Sequence, residues 1–475
     1  MNSYIILKNL CTYLYLTEIN LNKHISAYNI LSFYSIMVNK LIYKENLMKI
    51  VGLITEYNPF HNGHQYHIEK AKEVTGADTA IAIMTGDYVQ RGTPAIMPKY
   101  IRAEMALKCG AGAVFELPVC YSTGSAELFA MGAVSFLDSL GIVDSICFGS
   151  ECNDLDGLQK IADILYEEPE EYKSFLQNGL KNGHTFPAAR QEALAAYMGS
   201  TDYTFLLNDP NNILGVEYLK ALKKLNSTIR PYTIKRMESN YHDKKLNSSY
   251  SSASAIRSLL AYSSSAISTR SVGSTFENTP FSNILNELED QVPSSCLELL
   301  KDYHRVKYPV YQNDFSLIMK YKLLNKTAND LSRYMDVSVE LANRIINQLN
   351  NFFNYKQFCE LLKTKEITQT RINRALLHIM LGIKKDSVEE YIEGGYHYYA
   401  RLLGYRKDRE RILGSVVKNG TLPLLTSLYE TDDIPEIGQK MLYHDILASN
   451  LYTSVITDKF KTAFSNEYRQ GVIKV

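Results

Sequence analysis

The sequence predicts an α/β chain, with a Rossmann-like parallel sheet over residues 48–262 and a mainly α-helical domain over 281–475. Three observations carry this prediction. From Lys49 to about Tyr262, short β-branched runs alternate with helix-length stretches, the pattern of βαβ units. The segment SSSAISTRSVGSTFENTP at 263–280 is Ser/Thr-rich without periodicity and reads as a linker or mobile loop. Beyond it helical spacing dominates, as at Ala328–Met335, Val339–Asn350 and Ile372–Leu381.

The first 47 residues fit neither region. They carry Tyr, Ile and Leu in short clusters, without the continuous apolar centre of a secretory signal and without the Arg of a mitochondrial presequence. Met48 stands directly before the first strand. Residues 1–47 are therefore expected to be a non-native or disordered extension, dispensable for folding and activity.

Composition sets broad bounds. A chain of 475 residues can build two or three domains, and its formal net charge of zero makes any basic surface local. Seven scattered cysteines form no C-x-x-C pair, which fits a reducing compartment and offers no metal or disulfide framework. With no apolar run of about 20 residues, the sequence predicts a soluble cytoplasmic protein without a membrane segment.

The first strand, Ile50–Ile54, runs into the turn Asn58-Pro59 and Asn62-Gly63, and His64–Val74 then has helical spacing. His61 and His64 thus stand at a helix N-terminus, where unpaired N–H groups and the helix dipole favour a phosphate. Imidazoles there can donate to oxygens that gain charge during nucleotidyl transfer. Glycine at 63 is expected to let the backbone approach the phosphates. Without that placement, H-x-G-H is simply a polar turn. A metal held by His61, His64 and His67 is the competing reading, but helix residues six apart point about a third of a turn away from each other.

Further strands are predicted at Thr79–Met84, Gly112–Leu117 and Ile142–Gly149, with helices near Lys99–Cys109 and Ser125–Leu140. Ligands sit beyond the carboxyl ends of such strands. The polar excursion Met84–Gly92 follows one of these ends, and Gly149-Ser150-Glu151 another. Ser251-Ser252-Ala253-Ser254-Ala255-Ile256-Arg257 reads as a Ser-capped helix start whose hydroxyls and Arg257 can also hold phosphate. In Leu207–Gly215, Asn211 or Asn212 can cap a helix or contact a nucleotide. Arg236 closes a strand-like run at Tyr232–Ile234. In the helical domain, Lys363, Lys365, Arg371 and Arg374 have only Glu366 as an acidic neighbour within Lys363–Lys385. Arg401 and Arg406 lie among Tyr396, Tyr398, Tyr399 and Tyr405. Basic residues among aromatics suit an RNA backbone with unstacked bases, although a solvated helix face explains them nearly as well.

The strings GLITEYNPFHNGH, MTGDYVQRG, FELP, FGSE and PNNILG, with the Ser-rich SSASAIR, resemble the bacterial tRNA(Met) cytidine acetate ligase family. That family lies in the nucleotidylyltransferase superfamily, and the resemblance runs from Met48 essentially to the C-terminus. It implies that ATP and acetate form acetyladenylate, whose acetyl group passes to N4 of the wobble cytidine, position 34, of elongator tRNA(Met). It also implies an ATP segment Ile54-Thr55-Glu56-Tyr57-Asn58-Pro59-Phe60-His61-Asn62-Gly63-His64-Gln65-Tyr66-His67. Further nucleotide contacts are expected at Gly149, Asn211 or Asn212, and Arg236, with Ser252, Ser254 and Arg257 completing the phosphate cradle. His61 and His64 are the expected catalytic donors. Mg²⁺ would come with ATP, and no obligate protein partner is implied. Lys363, Lys365, Arg371, Arg374, Arg401 and Arg406 are the expected RNA contacts. Two other readings stay open: an adenylyltransferase acting on a small phosphorylated metabolite, and an RNA-binding module with a degenerate nucleotide site.

Overall fold

A computed structural model describes residues 48–200, 204–236, 252–262 and 281–475. The expectations for residues 1–47 and 263–280 lie outside these, as does Ser251. The strands named here are β1 (Ile50–Thr55), β2 (Thr79–Thr85), β3 (Ala111–Leu117), β4 (Ser145–Ser150), β5 (Arg230–Lys235), β6 (Ala400–Tyr405) and β7 (Ile473–Lys474). The helices are α1 (Asn62–Thr75), α2 (Lys99–Lys108), α3 (Ala126–Ser139), α4 (Pro210–Lys224), α5 (Ala253–Tyr262), α6 (Ser316–Leu324), α7 (Tyr355–Leu362), α8 (Gln369–Leu381) and α9 (Glu436–Phe460).

Along the sheet the order is β7-β6-β3-β2-β1-β4-β5. β1 to β5 are mutually parallel, with β1 and β2 in register from Ile50 opposite Thr79 to Thr55 opposite Met84. Every residue of β2 and β3 is buried, which is why both read as nearly continuous apolar runs rather than alternating ones. The chain steps outward from β1 through β2 to β3, then returns to place β4 on the other side of β1. The strand order therefore reverses between β1 and β4, and α1 starts just beyond that reversal and packs against β4 and β5.

The expected boundary at 281 divides the sequence but not the packing. Lys49–Val475 forms one compact unit. Its apolar core joins Val51 of β1 and Ile256 of α5 to Leu288, Leu300 and Tyr308, and to Leu403 of β6. β6 comes from inside the region expected to be helical, yet it pairs antiparallel with β3, and β7 pairs parallel with β6. Within the region expected to be mainly helical, Ala400–Tyr405 is a strand of the sheet with all six residues buried, so Arg401 does not face RNA.

One buried carboxylate interrupts the apolar surface of β3. Glu116 accepts from Lys99 Nζ at 2.7 and 2.8 Å, and Arg401 lies 3.1 Å away. Lys99 also reaches Glu467 at 2.7 Å and donates to Ser449 of α9 at 2.7 Å. Burial and Arg401 push the Lys99 ammonium toward neutrality, but Glu116 and Glu467 outweigh them and hold its pKa above the ordinary value.

Candidate functional site

Beyond the carboxyl ends of β1 and β4 lies a cavity of about 430 Å³. Its floor is the β1–α1 turn. Tyr57 is buried there at φ +48°, the left-handed region that non-glycine residues rarely occupy, and the backbone turns sharply into α1. Asn58 Oδ1 accepts from Ile96 N at 2.8 Å, and Asn58 O accepts from Arg257 Nη1 at 2.6 Å.

The two histidines form a reciprocal cap on α1. His61 Nδ1 accepts from Gly63 N at 3.1 Å, and His64 Nδ1 accepts from His61 N at 3.3 Å. A backbone N–H can donate only to a bare ring nitrogen, so the proton of each neutral imidazole sits on Nε2. The rings lie 3.8 Å apart between centroids, tilted 30°, and both line the cavity. Gly63 has a role the sequence did not suggest. A Cβ there would stand 2.9 Å from His61 Cε1, so its absence makes room for the capping ring.

Burial first, then Arg236 and Arg257, lowers His61 to a pKa of about 3. Burial, His61 and Arg236 hold His64 well below its usual range. His67 is lowered to about 4, chiefly by burial, and its Nε2 donates to Cys147 O at 3.1 Å, which ties α1 to β4. At neutral pH all three are uncharged. The unfolded chain takes up protons below pH about 6.5 that the folded chain refuses until about 3–4, so acid favours unfolding across that window. Thermal unfolding followed from neutrality down to about pH 4 is expected to show a steady fall in midpoint. A flat profile would contradict the neutral assignment.

Opposite α1, the wall is built by three elements. Asn211, at the start of α4, donates to Glu151 Oε1 at 2.6 Å and accepts from Arg236 Nη1 at 3.2 Å. Ser252, Ser254 and Arg257 come from the start of α5, with Arg257 Nη2 donating to Ser254 Oγ at 3.0 Å. The hairpin Tyr88–Val89/Thr93–Pro94 contributes Gln90, Arg91 and Thr93. Phe129, Phe148 and Tyr218 supply an apolar side.

A family model described as HIGH Nucleotidyl Transferase matches residues 48–467. A curated tRNA(Met) cytidine acetate ligase of Acetivibrio thermocellus is 37% identical over 429 residues, covering 90% of this chain and 100% of the relative. Another, from Thermoanaerobacter sp. (strain X514), is 40% identical over 407 residues, covering 86% and 95%. The chain belongs to the tRNA(Met) cytidine acetate ligase family. Among solved structures, apo Thermotoga maritima TmcAL superposes with a TM-score of 0.81 at 32% identity, covering 90% of this chain and 100% of that one. TmcAL of the same organism bound with alpha-thio ATP gives 0.78 at 32% identity, covering 90% and 99%.

Most of the expected ligase site residues converge on the cavity. Ile54, Thr55, Glu56, Tyr57, Asn58, His61, Gly63, His64, Tyr66 and His67 line it, with Gly149, Asn211, Arg236, Ser252, Ser254 and Arg257. Five do not. Phe60 is in the core, and Pro59 is joined to Asn58 by a cis peptide behind the cavity surface. Asn62 binds outward, its N to Gln291 O at 3.0 Å and its Nδ2 to Asp290 O at 2.8 Å. Gln65 turns to Glu69 at 3.0 Å. Asn212 is buried, and its Oδ1 accepts from Glu151 N and Cys152 N, so it braces the β4 loop while Asn211 faces the cavity.

The expected RNA contacts separate sharply. Arg401 is buried between Glu116 and Glu467 and is unavailable to RNA. Arg374 is committed to Asp336 through two bonds of 2.8 and 3.1 Å, and Arg406 to Asp408 at 2.9 and 3.0 Å. Lys363, Lys365 and Arg371 are exposed. Among residues the sequence reading left unassigned, Gln90 and Arg91 line the cavity. Their signal was present: a polar excursion directly after a buried parallel strand. At Gly92 of that hairpin a Cβ would fall 2.3 Å from Arg374 N, so α8 packs directly on the cavity-lining hairpin.

Among the described residues, no cluster of three His, Cys, Asp or Glu is arranged to hold a metal, and no helix is long and apolar enough to cross a membrane.

Proposed function

We propose that this chain is an ATP-dependent ligase that activates acetate and transfers the acetyl group to N4 of the wobble cytidine, position 34, of elongator tRNA(Met). The observation that carries the reading is the pair of neutral imidazoles at the start of α1. Their Nδ1 atoms are occupied by the backbone, and their Nε2–H groups remain available at the switch point of the sheet. The curated names of the relatives and the alpha-thio ATP complex of TmcAL support the choice of substrates.

In the first step an acetate oxygen attacks the α-phosphorus as the bond to the α,β-bridging oxygen breaks, giving acetyladenylate and pyrophosphate. The α1 N-terminus and the two Nε2–H donors stabilise charge gathering on the phosphate oxygens. Arg236 and Arg257 add positive charge, and Ser252 and Ser254 offer hydroxyls. Phe148 and Tyr218 provide an apolar seat for the base. In the second step cytidine N4 attacks the acetyl carbonyl carbon, AMP leaves, and N4 gives up a proton. Neither step requires a protein nucleophile, so positioning and electrostatics supply the catalysis. Mg²⁺ accompanying ATP would be held mainly by phosphates and waters, with Glu56 the cavity carboxylate able to share it, and would neutralise phosphate charge. The reaction is assigned to the cytoplasm and needs no obligate protein partner.

Incubation with labelled acetate, ATP and tRNA tests the proposal, with label expected on the RNA. Pyrophosphate release without labelled RNA would favour the small-metabolite adenylyltransferase. The absence of both products would favour the degenerate binding module.

A further inference from the structure

Arg374 and Arg401 are held in internal ion pairs, whereas Lys363, Lys365 and Arg371 are exposed, and a second surface with lysines lies on α6 and α7. On α6, Leu317, Tyr321 and Leu324 recur at helical spacing and are 80%, 68% and 61% exposed. Phe353, just before α7, is 79% exposed. A phenylalanine and a tyrosine presented so openly contribute nothing to this chain's core.

The two segments are held together. Ser316 Oγ accepts from Tyr355 N at 3.0 Å, and Asn313 Oδ1 accepts from Lys356 N at 2.9 Å. Lys320 Nζ lies 5.1 Å from the centre of the Phe352 ring, so Phe353 stands one residue from this contact. Lysines stand beside both rings in sequence. Phe315–Asn329 contains Lys320, Lys322 and Lys326 and no acid. Lys356 is exposed at the start of α7, with Glu360 one turn further on, and Arg344 donates to Leu362 O at 3.0 Å and Leu361 O at 2.9 Å. The nearest acid before α6, Asp314, is paired with Lys459 at 2.6 Å. Exposed rings beside lysines are what an unpaired RNA strand requires: stacking faces for bases and cations for the backbone.

This surface also connects to the cavity. Gln312, just before α6, donates to Asn373 Oδ1 of α8 at 3.2 Å, and α8 packs on the hairpin that carries Gln90 and Arg91. We infer that Tyr321 and Phe353, flanked by Lys320 and Lys356, form a stacking platform for an unpaired segment of the RNA substrate. The inference rests on tRNA being the acceptor.

The test uses full-length protein and unmodified tRNA, with acetate-dependent ATP–pyrophosphate exchange as an RNA-independent control. Tyr321→Leu with Phe353→Leu keeps apolar surface but removes both stacking faces. It is expected to weaken tRNA binding about tenfold or more, with exchange unchanged. Phe353→Trp should retain affinity, and Lys320→Glu with Lys356→Glu should lower the salt dependence of binding. Unchanged tRNA affinity in the double leucine variant, while the parent binds tRNA, overturns the platform. So does unchanged affinity accompanied by a shift from dimer to monomer, which would mark a self-association face. If the parent neither binds nor acetylates tRNA, the functional proposal fails instead.

Discussion

Replacing His61 with asparagine is expected to lower acetate-dependent ATP–pyrophosphate exchange by about 10²–10³-fold, the usual effect of removing one preorganised transition-state donor. Asparagine is chosen because it separates two roles that alanine would confuse. His61 caps α1 through Nδ1, and asparagine is among the best N-cap residues, so its side-chain oxygen can accept from Gly63 N in the same way. The donor at Nε2 has no counterpart in asparagine. Thermal stability should therefore stay close to that of the parent while adenylate formation collapses, and tRNA affinity should not move. His64→Asn is expected to behave similarly, because its Nδ1 likewise occupies a backbone N–H. Near-normal exchange in either variant would remove that histidine from the chemistry and leave it a capping residue.

The second large effect is on stability. Lys99→Met should destabilise the protein by about 3–5 kcal/mol, the range seen when one partner of a buried ion pair is removed. Lys99 is fully buried and serves both Glu116 and Glu467. Without it, two carboxylates share Arg401 alone. Denaturant unfolding would register the loss as a lower midpoint. The double variant Lys99→Met, Glu467→Gln leaves the Glu116–Arg401 pair balanced and should recover much of the loss. If the single variant unfolds at the parent's midpoint, the cluster contributes little to holding α2, β3 and β6 together.

How much of this was legible in the sequence depended on the range of the interactions involved. The β1–turn–α1 unit could be read directly, because a strand, a turn and a helix start are specified by neighbouring residues. Strands β2, β3 and β4 carried their own apolar runs. The cavity wall from α4, β5 and α5 was legible only as separate polar fragments, because their convergence depends on the strand order. β6 was missed. Its residues lie among tyrosines and arginines that resemble a nucleic-acid surface, and only pairing with distant β3 makes Ala400–Tyr405 a strand. Arg401 and Arg374 show the same limit. A guanidinium awaiting RNA and one satisfied by a remote carboxylate look identical in sequence, and burial next to Glu116 or Asp336 is what separates them. For Asn211 and Asn212, adjacent positions on α4, the rotation of the helix decided which one faced the cavity.

The late return of β6 to the free edge of β3 has a consequence for biosynthesis. When β5 leaves the ribosome, β1 to β5 are available, but β3 still presents an unpaired apolar edge and Glu116 has no Arg401 beside it. That edge must wait for roughly the last sixth of the chain, and Glu467 arrives later still. A nascent chain stalled in this interval would carry an aggregation-prone strand and an incompletely neutralised carboxylate. Ribosome-bound intermediates ending before Ala400 should therefore bind chaperones that recognise apolar strand edges, and should release them once β6 and β7 emerge.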